Sequence, residues 1–127
     1  MTALGKAIDD EYKARATYEA VIDQFGSTRP FSMIIRAEEQ HISSLKAIYD
    51  KYGVDIPVDP YEVDALDIPD TIAEACQLGV EAEIANAALY RDELLPEVSA
   101  YADIISVFES LMNASQEKHL PAFQKCS

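Results

Sequence analysis

Residues 34–53, IIRAEEQHISSLKAIYDKYG, decide how the chain is read. Apolar side chains return at Ile34, Leu45 and Ile48, the recurrence that one face of an α-helix requires. Two members of that stripe are not apolar. Glu38 and His41 lie three positions apart, so both leave the same face about one turn from each other and can reach one cation. Glu-x-x-His is a weak signal by itself. Its place on an inner stripe gives it weight, because a buried carboxylate without a partner is costly and calls for a metal, a cation or a proton.

Three further stripes flank this one. Leu4, Ile8, Glu11, Arg15, Tyr18, Ile22 and Phe25 form the first, which stops at Gly26-Ser27. The second, already described, starts at Phe31 and ends at Gly53, a residue suited to closing a helix. Residues 54–68 carry Pro57, Pro60 and several aspartates and read as a long connection. A third helix is expected to open around Pro69-Asp70, carry Ile72, Cys76, Gly79, Glu83, Asn86, Tyr90 and Leu94, and break at Pro96. The last carries Tyr101, Ile105, Phe108, Met112, Gln116, His119 and Phe123, with Pro121 kinking or ending it. Short links within each pair and one long connection between pairs predict an all-α, four-helix bundle with a long crossover between helices 2 and 3, filling residues 1–127 as a single domain. The halves also resemble each other: EYKARATY at 11–18 aligns with EIANAALY at 83–90, matching Glu11 to Glu83 and Tyr18 to Tyr90.

Composition limits the function. Ten basic against 23 acidic side chains give a net charge of −13, which opposes binding to nucleic acid or to anionic membranes and favours cations. No apolar run reaches the ~20 residues that cross a bilayer, and the acidic start carries no secretory leader, so a cytoplasmic location is expected. Cys76 and Cys126 cannot form a Cys-x-x-Cys knuckle or hold an iron–sulfur centre within one chain. They read as free thiols of a reducing compartment, with Cys76 a small core residue.

Glu11 and Glu83 interrupt apolar stripes just as Glu38 and His41 do. Together with His119 they supply five of the six groups of a di-metal bundle site, in which two helices give one Glu each and two give Glu-x-x-His. The sixth position, three before His119, is Gln116, whose amide oxygen is a weaker candidate ligand. Tyr18, Tyr90 and Asn86 lie near enough to hydrogen-bond the carboxylates or merely to fill the core. Arg15 reads as a surface arginine, and Glu39, Glu81, Glu109 and Glu117 as solvated, with Glu81 and Glu109 held in reserve as ligands.

At these residues the chain resembles the rubrerythrin and ferritin-like superfamily, above all its short members that consist of the di-iron domain alone. The resemblance rests on EYKARATYEAVIDQFG at 11–26, IIRAEEQHISSLKAIYDKYG at 34–53, GVEAEIANAALY at 79–90 and ASQEKHLPAF at 114–123. It implies a ferritin-like bundle with two iron ions and chemistry on O₂, peroxide or Fe(II). Glu38 would bridge, Glu11 and Glu83 would be terminal or bridging ligands, and His41 and His119 would each sit on one iron. The chain departs from full-length rubrerythrins in lacking a cysteine-rich electron-delivery module and in having Gln116 where the second bridging Glu stands. Both departures bear on peroxidase turnover more than on metal binding. Manganese or zinc would suit the same ligands. An external electron donor and a homo-oligomer, a dimer, are expected as partners. The competing expectation is a non-enzymatic metal-binding or structural helical module with a degenerate site.

Overall fold

Thr2 and Thr71 set the start of two helices by the same device, a threonine hydroxyl accepting from a backbone N–H three residues on. Thr2 accepts from Gly5 and Thr71 from Glu74. Thr71 also donates to the Glu74 carboxylate, closing a reciprocal cap. The third helix therefore opens at Ile72, two residues later than Pro69-Asp70 suggested.

The structure, a computed structural model, describes residues 2–127. Helix α1 spans Ala3–Phe25 and α2 spans Phe31–Tyr52, closed by Gly53 at φ +65°. Helix α3 is α-helical over Ile72–Leu89, widens into a π-helical turn over Tyr90–Leu94 and ends in an α-helical turn, Leu95–Glu97. Helix α4 repeats the pattern, with Ala102–Ala114 α-helical, Ser115–His119 π-helical and Leu120–Cys126 α-helical. Among the described residues there is no strand, and no helix is long and apolar enough to cross a membrane.

The two π turns explain why Pro96 and Pro121 do not break their helices where expected. A proline ring crowds the preceding turn and offers no N–H. Here the turn ahead of each proline is already widened: Leu95 N–H reaches Tyr90 O, and Leu120 N–H reaches Ser115 O. Helix α3 thus runs through Pro96 to Glu97, and α4 runs through Pro121 to Cys126.

Apolar side chains form two clusters, one toward each end of the bundle. One gathers Ile8, Tyr12, Ile42, Leu45, Tyr90, Leu94 and Phe108 among others, and the second gathers Tyr18, Val21, Phe31, Ile34, Cys76 and Phe123. Between them lies a polar layer. The segment joining α2 to α3 includes a short 3₁₀ turn, Val63–Ala65, and is tied to α1 by side chains spaced along that helix. Tyr12 donates to Pro57 O, Arg15 pairs with Asp59 at 2.9 Å, and Gln24 donates to Pro69 O.

The cysteines depart from the sequence reading. Cys76 and Cys126, expected to be free thiols, are joined in a disulfide with Cα atoms 5.8 Å apart. The start of α3 and the end of α4 meet there, although 50 residues separate the two cysteines along the chain. The pairing removes the ground on which a reducing compartment was expected, since disulfides persist in oxidising ones.

Candidate metal centre

Each helix sends one or two charged or imidazole groups into the polar layer. From α1 comes Glu11, from α2 Glu38 and His41, from α3 Glu83 and from the π turn of α4 His119. All three carboxylates are 1–2% exposed and His119 is 4% exposed. Their ligand atoms fall into two groups, Glu11–Glu38–His41 and Glu38–Glu83–His119, and within each group the atoms lie within 4.8 Å of one another. Glu38 belongs to both. Its Oε1 is 3.3 Å from His119 Nδ1 and its Oε2 is 3.5 Å from His41 Nδ1. His41 Nδ1 also stands 3.5 Å from Glu11 Oε2, and His119 Nδ1 stands 2.8 Å from Glu83 Oε1. Both imidazoles thus turn the same nitrogen toward the carboxylates, with their rings stacked at 5.5 Å.

Neighbouring side chains fix the outer carboxylates. Tyr18 donates to Glu83 Oε2 and Tyr90 to Glu11 Oε1. Asn86 Nδ2 donates to Asp10 at 2.5 Å and makes a longer contact, 3.4 Å, with Glu11 Oε1. Its own oxygen accepts from Ser115 at 2.6 Å. Both tyrosines are therefore core residues and carboxylate donors at once, and Asn86 is part of the support.

Burial sets the protonation. It pushes the Glu11 carboxyl up to about 8, helped by the negative Glu38 beside it. Burial also works to raise Glu38, but the close approach of Glu11 and the two imidazoles outweighs it and holds Glu38 below the ordinary range. For His41 burial opposes the charge, yet Glu11 and Glu38 overcome it and push the imidazole up to about 10. His119 is raised in the same way to about 9 by Glu38 and Glu83. Asp10 rises to about 6, mainly through burial. Tyr18 and Tyr90 stay neutral, raised by burial and by the carboxylates they serve. Protons thus hold this cluster together when no metal does.

Whether the donor set suits a metal pair can be judged from its unmet valences. Glu38 Oε2 and His41 Nδ1 are buried and have no hydrogen-bond partner. Buried polar atoms are nearly always satisfied, so two orphans facing each other across 3.5 Å mark a position where a cation fits. Carboxylate oxygen with imidazole nitrogen suits iron, manganese or zinc.

Five of the six residues singled out in the sequence, Glu11, Glu38, His41, Glu83 and His119, meet in these groups. Gln116 lies half-buried in the π turn and takes no part in the hydrogen bonds that support the carboxylates. Ser115, four before His119, is turned inward and buried, while the wider turn rotates the position three before away from the histidine's face. Arg15 pairs with Asp59 of the connection rather than with an inner carboxylate. Glu39, Glu81, Glu109 and Glu117 are exposed. Sequence reading missed Asp10 and Ser115. Asp10 stands one position off the inner stripe, whereas Ser115, four before His119, shares that residue's face in an α-helix and was open to the spacing.

No family model, curated protein or solved structure matches the chain.

Proposed function

We propose that the chain is a ferritin-like bundle holding two divalent metal ions, iron first among them, and acting as a di-iron oxidoreductase or ferroxidase on O₂, peroxide or Fe(II). The observation that carries the reading is Glu38. It is fully buried, shared by two three-residue donor groups, and one of its oxygens faces an equally unpartnered imidazole nitrogen. The ferritin-like connection, a long crossover between α2 and α3, is supported by the contacts of residues 57, 59 and 69 along α1.

In this reading Glu11 and His41 hold one ion, Glu83 and His119 hold the other, and Glu38 joins them. Bound iron supplies electrons and Lewis acidity for reaction with O₂ or peroxide. The chain's own groups do the rest. Glu11, His41 and His119 give up their protons to let metal in, Tyr90 and Tyr18 orient the carboxylates of Glu11 and Glu83, and the apolar clusters flank the layer on two sides. An external donor would return electrons.

A second reading, a metal-binding module without turnover, is favoured by one feature: the cluster offers three carboxylates, with Gln116 where a fourth would complete the set. Anaerobic reconstitution with Fe(II), followed by exposure to O₂, separates the two. Near-ultraviolet absorption that grows on oxidation and returns after re-reduction supports the oxidoreductase. Bound iron that stays spectroscopically unchanged leaves the module. Protein whose melting is the same with iron and with chelator removes both.

A further inference from the structure

Between α2 and α4 a groove of about 700 Å³ opens on the metal centre from its histidine side. His41 and His119 form part of its lining, beside Ser44, Ser106, Ser110 and Lys118. Each imidazole directs Nδ1 at the carboxylates, which leaves Nε2 as the free end of the ring. Neither Nε2 has a hydrogen-bond partner in the protein, and neither counts among the buried orphan atoms, so both are reachable from outside. The His119 side chain is only 5% exposed, so its accessible nitrogen is one of the few parts of the ring that solvent can touch.

A metal held on Nδ1 would fix the neutral ring as the tautomer with hydrogen on Nε2. A ligating histidine almost always passes that hydrogen to a carboxylate, a carbonyl or water, which orients the ring and raises its basicity. Here the protein provides no such acceptor for either ring. Charge points the same way: the three carboxylates of the donor groups would leave two divalent ions at the groove floor with one positive charge unbalanced among their own ligands; Asp10, on the far side of Asn86, is the next acid. On the rim, exposed Glu109 and Glu117 oppose an anion and exposed Lys118 favours one. The rim charges are solvated and screened, whereas the floor is buried, so the floor decides.

We infer that the α2–α4 groove is a binding site for a small carboxylate, whose oxygens accept from the Nε2–H groups of His41 and His119 and supply from outside the negative charge that Gln116 does not. The site rests on the metal-centre reading above. Its volume lies within the range that small organic ligands occupy and far exceeds what O₂ or peroxide needs.

The test uses the zinc-loaded protein with ¹⁵N-labelled histidine. Metal analysis and the Nδ1 resonances first report whether both ions are held by nitrogen. Acetate is then titrated, with acetamide as the uncharged control. The expected result is a saturable shift of both Nε2–H resonances with acetate alone, and a nuclear Overhauser contact from the acetate methyl to the imidazole Hδ2 atoms. Ser110→Trp and Ser44→Tyr, both at exposed positions on the groove wall, should abolish that response while zinc content stays unchanged. Zinc held through Nδ1 with Nε2–H resonances indifferent to acetate, equally moved by acetamide, or still moved in both variants, overturns the groove site alone. Failure to bind zinc overturns the metal centre and the groove site together.

Discussion

In the proposed reading, loading the centre with metal expels the protons that hold the metal-free cluster together. At pH 7, groups raised to about 10, 9 and 8 are mostly protonated, so His41, His119 and Glu11 together hold about three protons. Metal needs all three as bare ligands. Zinc binding is therefore expected to release about three protons per chain when both positions fill, and the overall affinity should rise on the order of a thousandfold per pH unit from pH 6 to just below 8. Calorimetric titration in two buffers of different ionisation enthalpy reads the release directly. The metal-free protein should respond to pH in the opposite sense. Glu11 is raised from 4.5 and the imidazoles from 6.5, so all three bind protons more tightly folded than unfolded. Their stabilising contribution is complete below those unfolded values and is lost as pH climbs toward 8 for Glu11, 9 for His119 and 10 for His41. Between pH 6 and 9 metal-free protein should thus lose thermal stability while zinc-loaded protein gains on it. Release of fewer than one proton, or an affinity flat across this range, would refute the reasoning.

Three further outcomes follow from packing and covalent structure. Reducing the Cys76–Cys126 disulfide, or replacing both cysteines by Ala, should lower unfolding stability by about 4 kcal/mol on the loop-entropy argument for its 50-residue separation, seen as a lower denaturant midpoint. Gly79→Ala should cost about 1–3 kcal/mol, because a Cβ there falls 2.7 Å from the ring of the fully buried Phe123; an unchanged midpoint would contradict that packing. Asn86→Leu should cost about 1–3 kcal/mol by stranding the Ser115 hydroxyl and the Asp10 carboxylate, whereas Asn113→Leu, at an exposed position, should change stability little; equal effects by chemical denaturation would count against the network.

What was legible in the sequence followed helical phase. The stripes through Ile8, Ile34, Cys76 and Phe108 lie in the interior because one face of each helix is apolar, and Glu11, Glu38 and Glu83 were visible as charged members of those faces. The phase fails where the helix changes pitch. Ser115–His119 is π-helical, so the position three before His119 is rotated off the face it would share in an α-helix; Gln116 is carried away, while Ser115, four before, stays on that face as it would in either helix. The disulfide was hidden for another reason. Which helix ends meet depends on how the bundle closes, and two cysteines 50 residues apart carry no local sign of it.

The most direct test of the centre is metal stoichiometry across carboxylate variants, measured after reconstitution with Fe(II) under anaerobic conditions and removal of loosely held ions. Because Glu38 is shared by both groups while Glu11 and Glu83 each belong to one, the native chain should hold two ions, Glu11→Ala and Glu83→Ala about one each, and Glu38→Ala essentially none. Retention of both ions by Glu38→Ala, or native protein that binds none, would contradict the account.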